Sequence, residues 1–498
     1  MKRYLALICV FAAALGGCRK DFLSLEKNPN VPSVASPNLL LAGALRQTAD
    51  VVNGGISLNY EQYACYMGYI SYSTSYQTNN SLELYGFTTS DYNVWTPLYL
   101  NLSNYNALTA ANAGPYYAAI AKIMTAFNYQ ALVDNYNNVP YTSALKGTGV
   151  LNPTYDNGSA IYDDLMKQLD AAIVLINAAP ATAINPGSAD IMFGGTMTSW
   201  VKFANTLKLK LAIRQSNLTA KAAALKTAVQ ATQAMGYLDG TTGASVNPGY
   251  TNIDANGGQQ SPIWLDYGYT QGMAGQSGNA RYQAGSAAIN YFLTNKDTAR
   301  AVQLYQAYYA ATDVSKAHPY FVSTYFGDRN PPAGSVSKLG PGILKSATMN
   351  AQILSSAEAL FLQAEGVAEG LISGNAATLY NAGITADFID IGLTAAQAAT
   401  YYGQMSVAYP TGGTLEDQKK AIITQKWAAL DIYGAFEAYN EQRRTGYPVI
   451  PLSKTKGANA PNQVTRIYYP FVEYSTNAKN VAAQGTINIF TSKIFWAK

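Results

Sequence analysis

One histidine and three cysteines in 498 residues remove most of the usual catalytic and metal-binding chemistry. His318 precedes Pro319, so no histidine metal pair, His-dependent triad or HExxH helix can be drawn. Cys9 lies in the opening apolar run and Cys18 directly after it, which leaves Cys65 without a partner for an intramolecular disulfide or a cysteine metal site. Charged residues are equally sparse, at 12% of the chain where about 25% is usual. No basic stripe is available to neutralise phosphates, so nucleic acid is not an expected partner. There is no P-loop and no dinucleotide glycine fingerprint, Gly147-Thr148-Gly149 being too short. A surface-attached carboxylate glycosidase remains compatible with this composition, since its two acids can lie far apart in the chain. No acid pair stands out for that role.

The first residues are those of an export signal: Lys2 and Arg3, an apolar run from Tyr4 to Leu15, then Gly16-Gly17-Cys18. The run is too short to remain as a membrane span. Small residues before a cysteine form the pattern of a bacterial lipoprotein signal, in which residues 1–17 are removed and Cys18 is lipidated. Acyl chains bury methylenes at about 0.8 kcal/mol each, so they anchor a chain without a transmembrane helix. The remaining chain has 31 basic and 29 acidic residues, a formal charge of +2. Residues 18–37, with Pro29, Pro32 and Pro37, read as a tether. Residues 38–498 read as a single helical domain, with no separating linker.

Helical spacing recurs through that domain. The stretches 38–50, 116–134, 155–179, 197–216, 355–370 and 376–391 each carry an apolar stripe. Tyr60, Tyr63, Tyr66 and Tyr69 recur every three residues and read as packed rings with hydroxyls reaching a partner helix or water. The most strongly marked stretch runs from Thr414 to Pro448 and reads as one long helix. Thr414 caps it, Glu416 and Asp417 suit its first turn, and Gly446 and Pro448 end it. Ile423, Trp427, Leu430, Tyr433 and Phe436 form its buried stripe, leaving Lys419, Lys420, Lys426, Asp431 and Glu441 to face water. Repeated helix pairs predict an all-α, tetratricopeptide-like scaffold with long irregular insertions.

Several segments carry a resemblance. The run KWAAL…FEAYNEQRRTGYP, ending at Pro448, resembles the C-terminal signature of the SusD/RagB family of nutrient-capturing surface lipoproteins. Gly194-Gly195 followed by Trp200-Val-Lys-Phe-Ala-Asn-Thr-Leu-Lys-Leu209 is similar to a second family segment, and Val133 to Leu145 to a third, with Asn137 where the family has glycine. Arg466, Tyr469, Pro470, Glu473 and Asn477 fill the places of a closing motif. The resemblance implies a binding protein and not an enzyme. It implies capture of an oligosaccharide or peptide nutrient and delivery to a SusC-like TonB-dependent outer-membrane transporter.

The expected ligand region is the irregular part of the domain, about residues 236–355, rich in Gly, Asn, Gln and Tyr. Trp264 lies outside any helical stripe, unlike Trp200 and Trp427, and is the tryptophan expected to be exposed. A flat ring can stack on the apolar face of a sugar, with Tyr267, Tyr269 and Tyr282 supplying hydroxyls and the loop residues Tyr76 and Tyr85 adding further rings. Asn252-x-Asp254-x-Asn256-Gly257 imitates the start of a calcium loop, but Ile263 stands where such a loop has its bidentate glutamate, so no cofactor is expected.

Overall fold

Side-chain caps mark the starts of several of the helices. The computed structural model describes residues 35–53, 61–73, 81–255, 258–309, 319–328, 336–457 and 460–498. Its N-terminal half is built from α1 (Pro37–Asn53), α2 (Glu61–Tyr66), α3 (Trp95–Ala110), α4 (Pro115–Tyr136), α5 (Gly158–Asn177) and α6 (Met197–Arg214). The short helices that follow among loops include α7 (Pro262–Tyr267), α8 (Ser286–Thr294) and α9 (Thr298–Leu304). The C-terminal half is α10 (Ser356–Ala368), α11 (Ala376–Asp390), α12 (Ala395–Tyr402), α13 (Leu415–Leu430) and α14 (Ala435–Thr445). Asn157, Ser355 and Asn375 accept the orphan N–H groups at the starts of α5, α10 and α11. Thr414 and Asp417 form a reciprocal capping box on α13.

Helices adjacent in sequence pack as neighbours, α3 on α4, α4 on α5, α5 on α6 and α10 on α11, while α13 returns onto α10. Contacts between α6 and α10 join the two halves. The fold is thus mostly helical, in the stacked-pair manner expected. Among the described residues strands occur only as three antiparallel two-stranded ladders: β1 (Ile70–Tyr72) with β5 (Tyr282–Ala284), β2 (Val139–Pro140) with β3 (Tyr155–Asp156), and β4 (Ala244–Val246) with β6 (Ala351–Leu354).

Rings stitch distant parts together. Tyr69 stacks on Trp427 at 5.3 Å and donates its hydroxyl to the Trp427 carbonyl at 2.6 Å, while the Trp427 indole N–H donates to the Met67 carbonyl at 3.0 Å. Tyr63 donates to Asn135. Both rings are buried, so the packing role read from their spacing holds for them; Tyr60 lies outside the described residues. Asn137 ends α4 at φ +67, a left-handed conformation that glycine adopts freely and asparagine tolerates. Its side-chain oxygen also accepts the Phe495 N–H at 2.7 Å, a bond glycine lacks.

Two expectations fail at the C-terminal signature. The single long helix is two, because Asp431 takes φ +31 and turns the chain between α13 and α14. The supposed water-facing residues Lys426, Asp431 and Glu441 are buried at 0%, 3% and 2% exposure. For Lys426 and Glu441 the physical reason is pairing across the helix stack, whereas Asp431 is buried at the break between the two helices. Lys426 meets Glu441 at 2.9 Å, and Arg444 meets Glu441 at 2.5 Å and Glu365 at 2.6 Å. Arg214 pairs with Glu437, and Lys210 lies 2.9 Å from both Glu358 and Glu437. Burial alone would raise Glu437, but Lys210, Arg214 and Lys426 hold its carboxyl down at about 2. Lys210 and Arg214, near the end of α6, are therefore core residues.

Candidate functional site

Pro262 at the first turn of α7 and Gly268 at its end confine this helix to six residues and set Trp264 on its loop-facing side. Trp264 is the one tryptophan of the five that is not buried. Its indole N–H donates to the Tyr269 carbonyl at 2.9 Å, and the two rings meet edge to face at 5.9 Å. A Cβ at Gly268 would sit 2.7 Å from the indole, so glycine is what lets the chain turn beside the ring. Beyond it, Tyr269 pairs with Gly275 in a bridge whose turn carries Met273, 71% exposed.

Amides brace this turn. Gln260 donates to Asn252 at 2.9 Å and to the Tyr269 carbonyl at 3.1 Å, and Gln276 donates back to Gln260 at 3.1 Å. Asp254 accepts the Gln271 N–H at 3.1 Å. The calcium-like oxygens of Asn252 and Asp254 are thus engaged in the fold, and Asn256 and Gly257 lie outside the described residues. Among the described residues no group of three or more His, Cys, Asp or Glu side chains could hold a metal ion.

The structure separates the sequence-nominated rings. Trp264 and Tyr269 stay together and are half-buried, with Trp264 packed against the edge of the core. Tyr267 and Tyr282 are each 2% exposed and Tyr85 is 3% exposed, which corrects their placement on a ligand surface. Their large rings complete a core instead: Tyr282 stacks on Tyr72 at 5.2 Å, Tyr267 lies 5.9 Å from Tyr282, and Tyr85 meets Tyr66 edge-on at 5.4 Å while its hydroxyl accepts the Ser453 N–H at 2.9 Å. Burial holds the Tyr267 and Tyr282 hydroxyls well above their ordinary range, hence neutral. Tyr76, Cys18 and His318 lie outside the described residues.

Glu61, beneath these rings, escaped the sequence reading. Burial pushes its carboxyl up to about 7 against the lowering by Arg281. An acid at the start of a short polar helix carries no local mark of burial.

The helical-pair scaffold thus carries one half-buried aromatic pair, Trp264 with Tyr269, on its irregular loop region. The chain matches the model of the SusD-like family described as "starch-binding associating with outer membrane" over residues 29–470, and it belongs to that family. Its members are outer-membrane nutrient- and glycan-binding proteins. A chitin-binding SusD homologue from Flavobacterium johnsoniae superposes with a TM-score of 0.74 at 22% identity, covering 92% of this chain and 98% of the other. A SusD-like protein from Bacteroides thetaiotaomicron gives 0.73 at 20% identity, covering 92% and 98%. A SusD homologue from Bacteroides uniformis gives 0.72 at 22%, covering 92% and 99%. No curated protein matches the sequence. Among the described residues no helix is long and apolar enough to cross a membrane.

Proposed function

We propose that this protein is a lipid-anchored receptor of the outer membrane that captures a glycan and passes it to a SusC-like TonB-dependent transporter. The family match over residues 29–470 carries the reading. The pairing of Trp264 with Tyr269 supports it, because adjoining rings held by one indole bond give a sugar's C–H face a preset partner. The chitin-binding homologue makes chitooligosaccharides one probe to try, beside starch and xylan fragments.

Trp264→Ala is expected to weaken binding of the retained glycan about tenfold or more, the equivalent of ~1.4 kcal/mol. Trp264→Phe keeps a ring while losing the bond to Tyr269, and should retain most of the affinity. Titration calorimetry reads both. Equal affinity of Trp264→Ala and wild type would move the site elsewhere, and shortened sugars in the reaction mixture would indicate a glycosidase.

Anchoring is tested on native membranes. Wild-type protein should sediment with membranes and bring down a large β-barrel protein in mild detergent, whereas Cys18→Ser should appear in the soluble fraction. Salt-resistant membrane retention of that variant would contradict lipidation.

A further inference from the structure

A groove of about 710 Å³ that Trp264 does not line is bounded by the loop before β4, the β4–β6 ladder, the start of α10 and the end of α11. Its volume is in the range of sites that hold small ligands. The lining mixes hydroxyls and amides with the apolar side chains of Met192, Phe193 and Met349. The Gln352 amide and the Ser356 hydroxyl, both part-exposed, make no hydrogen bond within the described fold, while Asn350 donates to Ser245 at 3.1 Å. Ile389, 57% exposed, supplies an apolar strip. The groove's floor continues into a cavity of about 60 Å³ that shares Gln352, Ser355 and Tyr433 and reaches Lys210, Glu358 and Glu437.

Two classes of occupant fit poorly. An anionic polymer would need a free cation, yet Lys345 is paired with Asp390 at 2.9 Å, and the remaining lining acid, Asp387, is held by Arg300 at 2.7 Å. A peptide strand would need an open ladder edge, yet at Gln352 the Asn53 side chain occupies both backbone groups, accepting from its N–H at 3.1 Å and donating to its carbonyl at 2.5 Å. Free hydroxyl and amide groups beside an apolar strip, with the charges already paired, match the alternating O–H and C–H surfaces of an uncharged sugar.

We propose that this groove is a second binding site for a neutral oligosaccharide strand, distinct from the Trp264 surface; the inference rests on the reading that the protein binds glycans. A chain held at both places gains affinity from the local concentration the first contact creates.

The test is affinity electrophoresis of the full-length chain through gels carrying soluble starch, xylan or glycol chitin, with wild type, Trp264→Ala, Gln352→Ala/Ser356→Ala and Ile389→Arg compared. Melting temperatures check that each variant is folded. For the polymer that retards wild type, the double alanine variant should bind about fivefold more weakly for each sugar hydrogen bond lost. Ile389→Arg, which fills the groove, should weaken binding about tenfold or more. Retardation equal to wild type in both groove variants, with Trp264→Ala impaired, overturns the groove site and leaves the glycan reading standing. A wild type retarded by none of the polymers overturns both. Binding of a casein peptide digest that only the groove variants lose would assign the groove to peptides and overturn the sugar proposal.

Discussion

Glu441→Ala is expected to destabilise the protein by about 3–5 kcal/mol, the loss typical when one partner is removed from a buried ion pair. Glu441 is bonded to Lys426 and Arg444 and lies 3.9 Å from Arg214, with all three cations buried. Removing its carboxylate leaves these charges with less compensation where water cannot replace it. Burial by itself would raise the Glu441 carboxyl, but Arg444, Lys426 and Arg214 hold it well below the usual range, so it stays ionised at every ordinary pH. The midpoint of urea unfolding should fall at constant slope. A loss under about 1 kcal/mol would mean that water reaches these cations, since exposed pairs are worth no more than that.

Asp431→Asn should stabilise the protein, and more so as the pH rises. The Asp431 carboxyl is buried at the break between α13 and α14, and neither oxygen has a hydrogen-bond partner of good geometry. Burial pushes it from 3.8 up to about 8, with Asp387 acting in the same direction and Arg300 and the Ile432 N–H against it. The folded state therefore keeps a proton that the unfolded chain releases near pH 4. Stability from this group is full below that pH and is lost as the pH climbs to about 8, about 6 kcal/mol in all. Asp387, raised to about 6, and Glu61, raised to about 7, add slopes of the same sign. Subtracting the variant's curve from the wild-type curve isolates Asp431. Asparagine is uncharged and tolerates positive φ, so the turn at φ +31 survives the change. Parallel urea-midpoint curves for the two chains between pH 5 and pH 9 would rule out this titration.

These two residues mark where the sequence stopped being readable. Thr414, Asp417 and Gly446 announce helix ends through bonds to their own neighbours, so those ends were legible. Asp431 interrupts an otherwise continuous apolar spacing, and nothing within a turn of it signals a break. Lys426 and Glu441 look like a solvent face until Glu365 and Arg214 arrive from elsewhere in the chain. The scaffold itself was legible because helical periodicity is local. The ligand surface was only half so: ring identity says nothing of depth, and Tyr267 differs from Tyr269 by two residues and a helix boundary. The Ser261-Pro262 start of that helix was a usable signal, since proline favours the first helical position.

Asp134 accepts the Trp496 indole N–H at 2.9 Å, a partner 362 residues later, and Arg443 donates to the carbonyl of the same aspartate at 2.8 Å. A chain emerging from its N-terminus therefore has Asp134 in hand long before the groups that complete its surroundings. Closing such loops before their contacts reward it slows folding. These two bonds can form only once the C-terminal residues are available. The outer-membrane placement proposed above requires the chain to cross a membrane, and such a delay would keep the domain from locking in the channel.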